Sequence, residues 1–515
     1  MKSSNMRTLL VPALLLAGCA TAPEPTPKAA APAAPVAAQP VPAMPTPADA
    51  DFRAKPPAAG PAVVFRAPVP KTLTLKNGLA VWLLERHDLP LVSMVLVVDA
   101  GSNTNPAGVP GVSNFVAAML DEGTATRDAM ATAGAFEDLA AVFHADSDAE
   151  TMTASLSVPT ASLSNALEVY ADVILHPAFK AADVQRVRTL RLGELQQMMD
   201  DAQQVGRNVL ARVIYGDKNP WAFPAKGTLA ATKTVTRRTL AAWHKTWVRP
   251  NNATLVVVGD VHEAELVPLL ELRFGGWAKA KLPSTKLPPA ATPKARPLVL
   301  VDKAGAAQSQ VWMGQLAVSS SSPDLYATRL ANTALGSGKG RLTANLRTKH
   351  AYSYGAYSFL IERRQEGTFA AFGGIVADKT PEAVQEFLTE LSGMAKGGVT
   401  ETELSEARSA AIQGLPARFE SNDVTAVAFA NAQSLGFGPE YFANLPDKLT
   451  AVTKSEADQA ARAHFGPDGM PIVVVGPMKT LQSRLVALGL GPTEVRDAAG
   501  KLLPTPTKPV KGATT

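Results

Sequence analysis

Two short, wholly apolar runs, each entered through a proline turn, stand out along the chain. Pro250-Asn-Asn-Ala-Thr-Leu-Val-Val-Val-Gly259 and Pro467-Asp-Gly-Met-Pro-Ile-Val-Val-Val-Gly476 carry the proline, the triple valine and the glycine at the same spacing. A run that is apolar at every position predicts a buried strand. Another strand is predicted near the front of each half, at Leu91–Val98 and Gln310–Val318. Helical stretches follow at Val112–Asp121 and Asp324–Leu335. Apolar residues at helical spacing then mark Leu163–Leu175, Ala181–Met199 and Thr402–Gln413. The two halves read as repeats of one unit. Strands at both ends of each unit, with helices between, predict two α+β domains, each a mainly antiparallel sheet with helices on one face.

Proline-rich stretches divide the chain. Residues 19–61 are mostly Ala and Pro, which cannot bury enough apolar surface to fold and favour an extended tether. A second break spans 282–297, and the end of the chain again carries Pro and Lys. The expected layout is a signal segment at 1–18, the tether at 19–61, domains at 62–281 and 298–492 joined by the 282–297 linker, and an unstructured tail at 493–515.

Composition narrows the function classes. With 46% hydrophobic and 18% charged residues, the 515-residue chain is globular and long enough for more than one core. Its net charge is only +5, and no Lys/Arg run interleaves with aromatics, so nucleic-acid binding has no support. The single cysteine, Cys19, excludes an internal disulfide. It follows basic Lys2 and Arg7, an apolar run over residues 8–17 and the small residues Ala17 and Gly18. That run is too short to span a bilayer and reads as a secretion signal. The Leu16–Cys19 segment resembles a bacterial lipobox, in which the cysteine is acylated and becomes the new N-terminus. Several acyl chains on one residue anchor a protein stably. Ala20 after the cysteine resembles the outer-membrane sorting pattern of Gram-negative bacteria, so the expected location is periplasmic and lipid-anchored.

A chemical motif lies just past the first strand. Gly111-Val-Ser-Asn114-Phe-Val-Ala117-Ala118-Met119-Leu120-Asp-Glu-Gly123-Thr124-Ala-Thr-Arg127 resembles the G-x-A-H-x-x-E-H-M-L-F-x-G-T-x-x-R segment of the pitrilysin/insulinase zinc peptidases. The resemblance covers about residues 66–480. Gly111, Met119, Leu120, Gly123, Thr124 and Arg127 match the frame. Two His four apart on a helix can hold one Zn²⁺, and a Glu just before the second can act as general base on zinc-bound water. Asn114, Ala117 and Ala118 stand at those three positions. The family's third ligand, a Glu about 76 residues after the second His, falls on Glu194 here. One carboxylate alone does not retain zinc, so Glu194 reads as a helix-surface residue and no metal is expected in this chain. None of the seven histidines lies three or four from another. An alternative joins His144, Asp146 and Glu194 around a metal.

The second half keeps different residues. Gly340-Arg341-Leu342-Thr-Ala-Asn-Leu346-Arg347-Thr-Lys-His-Ala-Tyr352-Ser353-Tyr354 resembles the family's S-R-L-x-x-x-L-R-E-x-x-G-L-A-Y-S, with Arg347 and Tyr354 seven apart. In the family the matching pair holds the substrate carbonyl, a role that guanidinium and phenol donors suit. The plain alternative is a locally paired Arg347 and a core Tyr354. Gly336-Ser-Gly338-Lys-Gly340 lacks the G-K-[ST] of a phosphate loop and reads as a turn.

The resemblance is to the short, mitochondrial-processing-peptidase-like branch, whose members can work as heterodimers. It implies half of a clamshell and a non-catalytic subunit that supplies Arg347 and Tyr354 in trans to a partner with H-x-x-E-H. The zinc would reside in that partner, unstructured peptides would be the substrate, and the chain alone would have no activity. Two alternatives remain open: a peptide-binding or scaffold protein, and an autonomous metallopeptidase with atypical ligands.

Overall fold

Twelve strands form two six-stranded sheets in the computed structural model, which describes residues 65–291 and 295–504. Cys19 and the tether lie outside the described residues. The strands are β1 (Lys71–Thr74), β2 (Ala80–Glu85), β3 (Leu91–Val98), β4 (Val142–Ser147), β5 (Met152–Pro159), β6 (Ala253–Gly259), β7 (Leu298–Asp302), β8 (Gln308–Leu316), β9 (Ser353–Ile361), β10 (Thr368–Val376), β11 (Ile472–Gly476) and β12 (Thr493–Arg496). The orders are β1-β2-β6-β3-β5-β4 and β12-β7-β11-β8-β10-β9. Superposing the orders pairs β2 with β7, β6 with β11, β3 with β8, β5 with β10 and β4 with β9. The duplication read from the two valine runs is therefore a duplication of topology. Both runs, β6 and β11, are buried along their whole length and sit inside their sheets.

The copies differ at one edge. The first sheet is completed by β1, antiparallel to β2, whereas the second is completed by β12, parallel to β7. The sequence assigns Thr493–Arg496 to an unstructured tail, but these residues form an edge strand instead. Four residues carry too little apolar pattern to register alone, but β7 offers them a free edge with Thr493 opposite Leu298.

The two faces of each sheet are covered from different halves. In the first sheet Met94, Leu96, Val98, Leu255 and Val257 face helices of their own half, including Leu163–Leu175 and Glu263–Phe274. The alternate residues Val95, Val97, Val256 and Val258 face the other way, where helix Asn422–Ser434 of the second half lies. Successive side chains of a strand point to opposite faces, so a strand apolar at every position needs cover on both. Ser93 Oγ donates to Asp423 Oδ1 at 2.6 Å and Asn422 Nδ2 donates to the Leu91 carbonyl at 3.0 Å, fixing that helix.

The exchange is reciprocal. Helix Ala202–Tyr215 of the first half covers Val299, Val301, Trp312, Val473 and Val475 of the second sheet through Val205, Val209 and Val213. Asp201 starts this helix by accepting from the Gln203 and Gln204 amides at 2.8 and 3.0 Å. Gly216, at φ 73°, ends it. Helices packed on one face describe each half by itself, and the second face of each sheet is filled by its counterpart. The described residues consequently pack as one unit. Among the described residues no helix is long and apolar enough to cross a membrane.

Candidate functional site

The degenerate motif begins on helix Val112–Ala117, entered through Gly111 at φ 97°. A Cβ on Gly111 would lie 2.5 Å from the Lys226 carbonyl oxygen, so both backbone conformation and the close approach of the 226–227 turn require glycine. Met119 and Leu120 are core residues. Thr124 donates its amide to the Arg127 carbonyl at 2.8 Å, and Arg127 Nη1 reaches Asp172 Oδ2 at 2.8 Å on helix Leu163–Leu175. The matching frame residues thus build the fold, which explains how they can stand while the chemistry does not.

Asn114 is 6% exposed, and all of its amide is used. Its Nδ2 donates to Asp146 Oδ1 at 2.6 Å and to the Ser147 carbonyl at 3.0 Å, tying the helix to β4. Its Oδ1 accepts from Arg191 Nη1 at 2.9 Å. Arg191 is 4% exposed, donates Nη2 to the Lys226 carbonyl at 2.9 Å and stacks over Phe115 at 4.9 Å. Burial lowers its pKa to about 10, opposed by nearby Glu194 and Asp146, so it remains a cation at neutral pH. Ala117 is buried and Ala118 half-buried, with no donor atom on either side chain. Glu194, one turn beyond Arg191, reaches out to Lys226 Nζ at 2.7 Å in an exposed pair. The zinc that the family motif implies does not fit this donor set: its only remaining carboxylate is paired to a lysine, and a buried guanidinium stands against the first ligand position.

His144 is exposed on β4, and among the described residues it forms no group of metal-ligand spacing with Asp146 and Glu194. Among the described residues, the one His/carboxylate group with metal-ligand spacing is Glu85, His87 and His262, far from this motif in sequence. Linear spacing does not reveal it, because the two histidines leave different strands. Arg191 was equally hidden: its position three before Glu194 was the one available signal.

A cavity of about 460 Å³ opens beside the motif, lined by Asn114, Asp146, Arg207, Trp221, Phe359 and Arg363 among others. It lies where the first half meets the second sheet. Arg363 is buried in its wall, bonded to Tyr215 and stacked on Trp221 at 4.4 Å.

Arg347 and Tyr354 lie elsewhere. Arg347 is exposed on a wide turn, Ala344–Lys349, in which the His350 amide donates to the Asn345 carbonyl five residues back. Tyr354 is 84% exposed on β9, the edge of the second sheet, so the core-tyrosine alternative does not hold. Among the described residues neither side chain makes a hydrogen bond or ion pair, so local pairing of Arg347 does not hold either. Neither residue lines the cavity beside Asn114. The preceding segment is anchored by Arg341, which grips Glu403 through two bonds of 2.6 Å. Gly336–Gly340 is a turn, closed by the Gly340 amide on the Ser337 carbonyl at 2.8 Å.

A duplicated α+β fold with a decayed H-x-x-E-H helix defines a class, and comparison with known proteins gives the family. Residues 81–220 match the family "Insulinase (Peptidase family M16)" and residues 234–411 match "Peptidase M16 inactive domain". The chain belongs to the pitrilysin/insulinase (M16) peptidase family. It is 24% identical over 427 residues to an uncharacterised zinc protease of Mycobacterium tuberculosis, covering 82% of this chain and 96% of that one. Over 209 residues it is 29% identical to a probable mitochondrial-processing peptidase subunit beta of Schizosaccharomyces pombe, covering 40% and 45%. A crystal structure of a peptidase M16 inactive domain from Pseudomonas fluorescens has the same fold, with TM-score 0.74, 24% identity and coverage of 79% and 98%. The periplasmic protease PqqL of Escherichia coli matches at TM-score 0.67 and 16% identity, with 88% of this chain covering 52% of PqqL.

Proposed function

We propose that this chain is the non-catalytic subunit of a zinc endopeptidase, closing over a separate partner that carries H-x-x-E-H. The observation that carries the reading is the buried Asn114–Arg191 pair, which fills the metal-motif position with a cation and its acceptor. A chain so built does not polarise water with zinc, yet it keeps Arg347 and Tyr354 free on the surface. Wide helical turns of the kind that presents Arg347 recur at functional sites. A free guanidinium and phenol suit an oxyanion or peptide carbonyl supplied from another chain. The half-length match to PqqL supports a two-part enzyme, each part like this chain. Substrate would be unstructured peptide, added as an extended strand to an open sheet edge such as β4 or β9. Acylation at Cys19 would hold the complex on the periplasmic face of the outer membrane.

The test is reconstitution. The chain is mixed with an M16 relative that contains H-x-x-E-H, and peptide cleavage is followed. Activity that appears only in the mixture supports the subunit reading. Tight peptide capture without any gain in cleavage favours the scaffold alternative.

A further inference from the structure

The ends of β2 and β6 bring together a group of side chains that the peptidase reading does not use. Parallel pairing sets Glu85 opposite Gly259, so His87, Asp260 and His262 emerge at one place. Glu85 Oε2 is 2.9 Å from His262 Nδ1 and 3.6 Å from His87 Nε2, and the two imidazoles are 4.5 Å apart. One ligand atom from each of the three residues lies within 4.8 Å of the others. In a tetrahedral zinc site with bonds of about 2.1 Å, ligand atoms are about 3.4 Å apart, between the two measured separations.

The surroundings hold these groups in place. Glu85 Oε1 accepts the Glu263 amide at 3.1 Å, which fixes the carboxylate with Oε2 toward the histidines. His87 Nδ1 bonds Asp260 Oδ1 at 2.7 Å, leaving Nε2 to face Glu85. Asp260 in turn accepts from Thr160 Oγ1 at 3.3 Å. A carboxylate behind the far nitrogen of an imidazole is the arrangement that orients metal-bound histidines.

We propose that Glu85, His87 and His262 form a surface site for one first-row divalent cation of the zinc class, with Asp260 as the positioning residue. Two imidazoles and one carboxylate select such a cation over Mg²⁺, which takes oxygen ligands. Bound there, the cation would clamp the end of β2 to the turn between β6 and helix Glu263–Phe274. All three residues are exposed, so a fourth position would open to solvent. This site is independent of the Asn114 motif and of the subunit reading.

The experiment is calorimetric titration of the chelator-treated mature chain with zinc chloride alone. One equivalent is expected, accompanied by a rise in melting temperature. His87→Gln and His262→Gln should each abolish both effects, while circular dichroism reports an unchanged fold. Asp260→Asn should weaken zinc binding by about 10–100-fold. Glu194→Gln should leave uptake unchanged. No uptake, uptake that survives both histidine changes, loss on Glu194→Gln, or equal binding of Mg²⁺ would each overturn the proposal.

Discussion

Arg191 Nη1 donates to Asn114 Oδ1 at 2.9 Å, so a buried guanidinium occupies the neighbourhood of the lost metal ligands. Restoring the motif by Asn114→His, Ala117→Glu and Ala118→His leaves that cation in place, and like charge opposes a bound Zn²⁺. The triple variant is expected to retain no zinc at the motif, whereas adding Arg191→Leu permits it. Elemental analysis after dialysis, done in a His87→Gln background to remove the surface cluster, decides between them. Zinc retained by the triple variant alone would show that Arg191 does not block the site.

Tyr354 and Arg347 give the sharpest test of a role in trans. Tyr354→Phe in the reconstituted complex should lower turnover by ~10²–10³, the usual loss for one oxyanion donor. Assembly and melting temperature should not change, since the hydroxyl is exposed and makes no bond among the described residues. Full activity in this variant would remove the trans-donor role and leave the scaffold alternative.

Gly206 and Gly193, both inside helices, should respond to alanine with opposite signs. A Cβ on Gly206 would lie 2.4 Å from Trp312 Cδ1, whereas a Cβ on Gly193 meets nothing within 4 Å. Gly206→Ala is expected to destabilise by about 1–3 kcal/mol through overpacking between the halves. Gly193→Ala should stabilise by about 0.5–1 kcal/mol through helix propensity. Urea unfolding measures both, and a stabilising Gly206→Ala would mean that the exchanged helix does not press on Trp312.

Glu403 links stability to acid. Burial raises its pKa, but the Arg341 guanidinium and the Thr400 amide outweigh this and hold it at about 2, below the ordinary 4.5. Its folded pKa is depressed, so its contribution is complete above pH 4.5 and is lost as pH falls toward 2. Because solvent screens this partly exposed pair, the loss over that window is less than the full shift implies, on the order of 2 kcal/mol. Glu403→Gln should flatten this part of the pH profile, and an unchanged profile would discount the Arg341 pair as a stabilising contact.

Cys19 carries the prediction about location. Cys19→Ser should release the protein from membranes or leave the precursor unprocessed. Fractionation with mass measurement of the N-terminus reads both. A processed, membrane-bound Cys19→Ser protein would rule out acyl anchoring at this residue.

By itself the sequence determined the landmark strands and helices, the duplication and the loss of the family's ligand residues at 114, 117 and 118. These are local properties: apolar period reports which faces are buried, and Ala117 and Ala118 lack a ligand atom in any fold. Tertiary structure decided what covers each face. The valine runs require burial on both sides, but nothing local says that helices 202–215 and 422–434 cross to the opposite sheets. Strand β12 forms only because β7 leaves an edge open beside it. Arg191 at Asn114 and His87 at His262 are contacts between residues 77 and 175 positions apart. Chain distance carries no information about such pairs; the parallel register of β2 with β6 and the packing of helix 181–200 against the motif create them.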